Sequence, residues 1–273
     1  MIYLRELKRR GKAGGSAYPL NAGVLQGLDS LSFTRSVTIF CGDNGSGKTT
    51  LLSLIAALVG AQVVGDTGVG REKMQLFRTA GRGFTPVMYR RPRSSFYFTA
   101  EDFSRYLDER QRMKREAHEA LEEIQTEYEG RSEYARGLAR MPYAGTLHQM
   151  DQQYDRDLLA ASHGEGFLSF FGGRLTQGGL YLLDEPEGAL SFQNQLSLLA
   201  LISSAVAADG QVIMATHSPV LAAYPKAALL EISAGGLEEV PYDGLSSLQF
   251  LQHFLKHREH ILKRAGVEEE AEP

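Results

Sequence analysis

Residues 42–50 read Gly-Asp-Asn-Gly-Ser-Gly-Lys-Thr-Thr, with four residues separating Gly42 from Gly47-Lys48-Thr49. That spacing is a phosphate-binding loop, and it constrains the fold more than any other stretch. Gly42, Gly45 and Gly47 let the backbone curl into a nest of N–H groups around the α- and β-phosphates. Asn44, Ser46 and Thr50 complete the run that wraps the ligand. Lys48 is placed to reach the β/γ oxygens, and the Thr49 hydroxyl can ligate magnesium. Val37-Thr38-Ile39-Phe40-Cys41 reads as a buried strand entering the loop, and Leu51-Leu52-Ser53-Leu54-Ile55-Ala56 as the helix leaving it. The helix N-terminus then faces the phosphates with its dipole favourably oriented. An α/β domain that binds a nucleoside triphosphate is the expectation.

The 273 residues suit one large α/β domain or a domain with a sizeable insertion. The longest apolar run, residues 51–64, is interrupted by glycine and glutamine and is too short for a bilayer span, so no membrane insertion is expected. The N-terminal residues lack the apolar core of a signal peptide. A single cysteine, Cys41, excludes an internal disulfide and agrees with a reducing cytoplasm, the expected location. Cys41 reads as a small residue buried at a strand end. A net charge of −4 gives no global attraction to nucleic acid or anionic lipid. Arg90-Arg91-Pro92-Arg93 and residues 110–115 form local basic runs, which read as solvated surface with ion pairs, or as phosphate-backbone contacts.

Short strands are expected at Ile2–Leu7 and Leu31–Phe40, with residues 65–83 as loop and Ser95–Thr99 as a central strand. From Glu101 to about Leu159 charges are dense and apolar residues recur at helical spacing, which predicts a helical lobe inserted at about 101–165. A helix over 166–175, a strand over 179–183, a helix over 193–208 and a strand over 211–215 then alternate as in a parallel sheet with flanking helices. A hairpin is expected over 227–240, an amphipathic helix over 248–265, and a short disordered acidic tail at about 267–273.

Gly179-Leu180-Tyr181-Leu182-Leu183-Asp184-Glu185-Pro186 is an apolar strand that ends in two carboxylates. Its hydrophobicity drives Asp184 to the carboxyl edge of the sheet, where α/β folds place ligands. There Asp184 can hold magnesium, and Glu185 can orient the attacking water or take its proton. His217 ends the next strand, within Ala215-Thr216-His217-Ser218-Pro219, from which an imidazole donor can reach the γ-phosphate or the attacking water.

Together, residues 42–50, 182–187 and 215–219 resemble the ATP-binding-cassette (ABC) ATPase superfamily, most closely stand-alone soluble ATPases allied to the SMC and OLD types. The resemblance implies a P-loop NTPase of the ABC type, with a mixed sheet and a helical lobe. It also implies ATP and magnesium as ligands, hydrolysis to ADP and phosphate, and a homodimer closed over two nucleotides. Ser162-His163-Gly164-Glu165 occupies the place of the signature Ser-Gly-Gly-Gln, so Ser162 and the amides around Gly164 are expected at the γ-phosphate of a second subunit. The same residues also read as a helix cap. Ala189-Leu190-Ser191 matches the loop that crosses between subunits, with Ser191 in place of aspartate. Glu101 is the nearest positional candidate for the glutamine that joins sheet and lobe. Tyr18 stands where such ATPases stack an aromatic on adenine, although a packing tyrosine at a strand edge reads equally well.

Three functions stay open at this point. A soluble ATPase that switches an unidentified partner leads. The nucleotide-binding subunit of a transporter is second, and a nucleic-acid-directed or defence-associated module in which dimerisation outweighs turnover is third.

Overall fold

The computed structural model describes residues 1–11, 17–64, 68–152 and 163–267. β1 (Leu4–Arg9) is followed by the short α1 (Gly23–Gln26) and β2 (Ser30–Ser32). β3 (Val37–Cys41) enters the phosphate loop, and α2 (Lys48–Val59) leaves it. Next come β4 (Gln62–Val63), α3 (Gly68–Ala80), β5 (Phe84–Met88) and β6 (Ser94–Thr99). α4 (Ala100–Glu127) and α5 (Glu133–Gln152) fill the charge-dense stretch. α6 (His163–Arg174), β7 (Gly179–Asp184), α7 (Phe192–Ala207), β8 (Gln211–Ala215) and α8 (Pro219–Ala222) carry the alternating pattern. The hairpin β9 (Ala228–Ser233) and β10 (Gly236–Glu239) precedes α9 (Ser246–Lys256) and α10 (Arg258–Arg264).

Among the described residues, seven strands form one sheet in the order β10-β9-β3-β8-β7-β6-β4. Every pairing is parallel except that of β10 with β9, so the sheet is mixed. β2, β1 and β5 make a separate antiparallel sheet. Gln211 ties the two together, because its buried side chain accepts from the Tyr3 and Leu4 amides and donates to the Leu4 carbonyl.

β3, β7 and β8 are buried along their whole length, which is why they read as continuous apolar runs. Alternate residues feed two cores. Phe40, Tyr97, Leu182 and Ile213 pack toward α2, whereas Ile39, Phe98, Leu183 and Met214 pack toward α4, α6 and α7. On the second face a cluster of rings fastens α4 and α6 to the sheet. Phe98 lies 4.8 Å from Phe171, and Phe103 lies 4.6 Å from Phe167.

Three expectations are corrected. Residues 68–80 form a helix, not a loop, because Met74 and Phe77 fall on one helical face and bury against the α2 core. The expected strand 31–40 is two strands in different sheets, broken at residues 33–36. The C-terminal helix is split at His257, whose φ of −127° and ψ of 31° leave the α region. Glu101 sits exposed in the first turn of α4 and pairs with Arg105 one turn on, so its charge is engaged locally. The expected acidic tail at residues 268–273 and the C-terminal part of the 101–165 lobe lie outside the described residues.

Candidate functional site

β8 lies between β3 and β7, so one edge of the sheet collects the phosphate loop, Asp184 and His217. The register places Asp184 opposite Ala215, so the strands leading to Asp184 and His217 lie side by side. Gly42, Gly45 and Gly47 have φ of 136°, 81° and 102°, a region open to glycine at little cost. At Gly47 space is also short, since a Cβ would lie 2.6 Å from Val24 Cγ1 on α1. Gly47→Ala is therefore expected to lower stability by about 1–3 kcal/mol and to weaken ATP binding, read by thermal melting and titration.

Asn44 is exposed at the loop tip, Ser46 Oγ is buried with no hydrogen-bond partner among the described residues, and Thr50 is buried under the helix start. Lys48 Nζ donates to the carbonyls of Gly42 (2.8 Å) and Asp43 (2.9 Å), which holds the ammonium inside the curl of the loop. Thr49 Oγ1 donates to Asp184 Oδ1 at 3.0 Å, so the hydroxyl and carboxylate named from sequence do converge.

The structure adds supports that sequence reasoning missed. Tyr97 on β6 donates to Asp184 Oδ2 at 3.1 Å, and its hydroxyl meets Ser53 Oγ of α2 at 2.9 Å. Burial pushes the Asp184 carboxyl up to about 6, against the lowering effect of the Thr49 and Tyr97 hydroxyls. Lys73 on α3 also favours its ionised form, a contribution hidden as long as residues 68–80 read as loop. Burial likewise pushes the Cys41 thiol up to about 12, with Glu231 adding to the rise, which suits a structural rather than a reactive thiol.

Glu185 adopts φ 46° and ψ 52°, a left-handed conformation that costs a non-glycine residue about 1–3 kcal/mol. Its amide donates to Ala215 O at 2.9 Å, which fixes the carboxylate above the end of β8. There Glu185 Oε1 lies 3.6 Å from His217 Nδ1, and both side chains are about half exposed. Glu187, one residue past Pro186, is buried and accepts from Thr216 Oγ1 and from the His217 and Ser218 amides.

Tyr18 is 51% exposed, and its ring meets Phe77 at 5.8 Å with an interplanar angle of 80°. It lies in a turn and not at a strand edge, just ahead of α1, whose Val24 packs on the phosphate loop. Ser162 lies outside the described residues, while the backbone of Gly164 belongs to the first turn of α6. Ser191 accepts from the Asn194 amide at 3.3 Å, and thereby caps α7.

The sequence profile of the AAA_21 family, described as "AAA domain, putative AbiEii toxin, Type IV TA system", matches residues 82–223, just over half of the chain. The chain belongs to this family. The match takes in Asp184, Glu185 and His217 of this AAA-domain protein and begins downstream of its phosphate loop. No curated protein matches the chain. Similar solved structures include an ATP-binding cassette of an ABC transporter in its ADP conformation, 16% identical over 93% of this chain and 99% of that one, with a TM-score of 0.45. Another is cbiO1 from Clostridium perfringens, part of the ABC transporter complex cbiONQ, 13% identical over 96% and 100%, with a TM-score of 0.44. The Smc head domain of Pyrococcus furiosus, with an extended coiled coil and bound to the C-terminal domain of ScpA, is 12% identical over 95% and 100%, with a TM-score of 0.45.

Proposed function

We propose that this AAA-domain protein is a magnesium-dependent ATPase of the ABC type, which closes head to tail as a dimer on ATP and switches a protein partner. The observation that carries the reading is the convergence, at the carboxyl edges of β3, β8 and β7, of the phosphate loop, the Thr49–Asp184 pair and the Glu185–His217 pair.

The loop amides and Lys48 bind the triphosphate, and Tyr18 stacks on the adenine. Glu185 orients a water and accepts its proton as the water oxygen bonds to the γ-phosphorus and the bond to the β–γ bridging oxygen breaks. With its Nδ1 turned to the carboxylates, His217 leaves Nε2 to accept a hydrogen bond from the attacking water.

Thr49 and Asp184 would hold magnesium, and the donor set fits it. Both donors are hard oxygens placed 3.0 Å apart, and among the described residues no three His, Cys, Asp or Glu side chains gather as a metal cage. Such a sparse set suits a cation that keeps its waters and shares the phosphates. When bound, the ion supplies neutralisation of charge on the β- and γ-oxygens.

The α6 N-terminus, with Ser162 and Gly164, then meets the γ-phosphate held by a second copy.

Lys48→Ala tests the reading at its first step. ATP affinity, measured by equilibrium titration, is expected to fall about 30-fold or more, the loss of roughly 2 kcal/mol from one charge-assisted contact. Unchanged affinity would remove the loop from the site. Tyr97→Phe deletes one support of Asp184 and is expected to raise the magnesium concentration needed for half-maximal turnover about 10-fold. A magnesium titration reads it.

A further inference from the structure

We propose that Glu187 is the positioning residue of His217, holding the imidazole with its Nδ1–H toward the carboxylates and its Nε2, the acceptor of that tautomer, toward a hydrogen of the attacking water. The inference rests on the ATPase reading and assigns Glu187 a task that reading leaves open.

Glu187 lies in the 3-10 turn after β7, yet its side-chain hydrogen bonds run to the segment after β8. Oε1 accepts from Thr216 Oγ1 at 2.6 Å, from the His217 amide at 2.9 Å and from the Ser218 amide at 3.2 Å. One carboxylate thus binds three successive residues centred on the histidine. Ser218 is held from its other side, because its hydroxyl donates to Gln195 Oε1 on α7 at 2.6 Å and caps α8.

The same Oε1 stands 3.6 Å from His217 Nδ1, a separation equal to that of Glu185 Oε1. The imidazole therefore faces two carboxylates through one nitrogen. Glu185 is half exposed and assigned to the water, whereas Glu187 is 9% exposed and held by its backbone donors. Glu187 Oε2 is buried with no hydrogen-bond partner among the described residues. A buried carboxylate oxygen without a donor carries a desolvation cost, which a hydrogen bond from the His217 Nδ1–H to this carboxylate would reduce. The fixed partner sets the tautomer, and the tautomer sets whether the nitrogen facing the nucleotide donates or accepts.

Glu187→Gln is the informative variant, because the amide oxygen keeps an acceptor for Thr216 and the two backbone donors while the second oxygen becomes a donor NH2. Ring-labelled 15N histidine NMR at about pH 9, where an ordinary imidazole is neutral, should show the proton on Nδ1 of His217 in the unaltered protein. In Glu187→Gln the Nε2–H tautomer should gain. Identical His217 spectra in both proteins overturn the proposal, whether or not ATP is hydrolysed. In turnover assays Glu187→Gln should lower kcat about 10-fold and leave the KM for ATP within about two-fold. Adding it to His217→Ala should cause no further loss, since it acts through that ring. Losses that multiply in the double variant overturn the positioning role. A lack of turnover in the unaltered protein would instead refute the ATPase reading and leave the spectra to decide the role of Glu187.

Discussion

Glu185→Gln is expected to lower ATP turnover by about 100-fold or more while leaving ATP affinity within a few-fold of the original. The amide keeps the size of the side chain and its place above β8, where the Glu185 amide bonds Ala215 O. It cannot take the proton of the attacking water. The left-handed backbone at φ 46° persists in the variant, so the fold and the nucleotide pocket should survive. Retained ATP then makes the variant the best form in which to seek the dimer, read as a doubling of mass by light scattering on adding ATP. Turnover within a few-fold of the original would show that Glu185 is not the catalytic carboxylate.

Asp184→Asn should produce effects of opposite sign on stability and on turnover. The carboxyl is 4% exposed and titrates at about 6 in the folded chain, against a reference of 3.8. The folded state thus holds its proton more tightly than the unfolded state does. Stability from this group is fully present below about pH 4 and is lost as pH rises through about 6, up to roughly 3 kcal/mol. With nucleotide and metal removed by a chelator, the melting temperature should decline across that window. Asp184→Asn should abolish this decline and melt several degrees higher at pH 8, yet lose turnover because the anionic partner of Thr49 is gone. Burial is the cause, and function is what retains a charge there. Equal melting of the two proteins at pH 8 would show that the carboxylate is not strained by its surroundings.

What could be read in advance followed from chemistry that is local in sequence. β3, β7 and β8 are apolar because both of their faces are covered, and Lys48, Asp184 and His217 stand at their ends for that reason. α3 was hidden by the glycines at 65, 68 and 70, which outweighed the spacing of Met74 and Phe77. The break between β2 and β3 depends on a second sheet, which no pattern within residues 31–40 announces. Tyr97 read only as part of a strand, since its bonds to Ser53 and Asp184 join residues 44 and 87 positions away. Glu187 was legible as a member of a motif but not as an anchor, because its partners begin 29 residues on.

The central claim is best tested by phosphate release from ATP by the unaltered protein, measured with magnesium and again with a chelator. The account predicts steady release that needs the metal and vanishes in Lys48→Ala. Release that persists undiminished in Lys48→Ala, or no release with magnesium at saturating ATP, would contradict it.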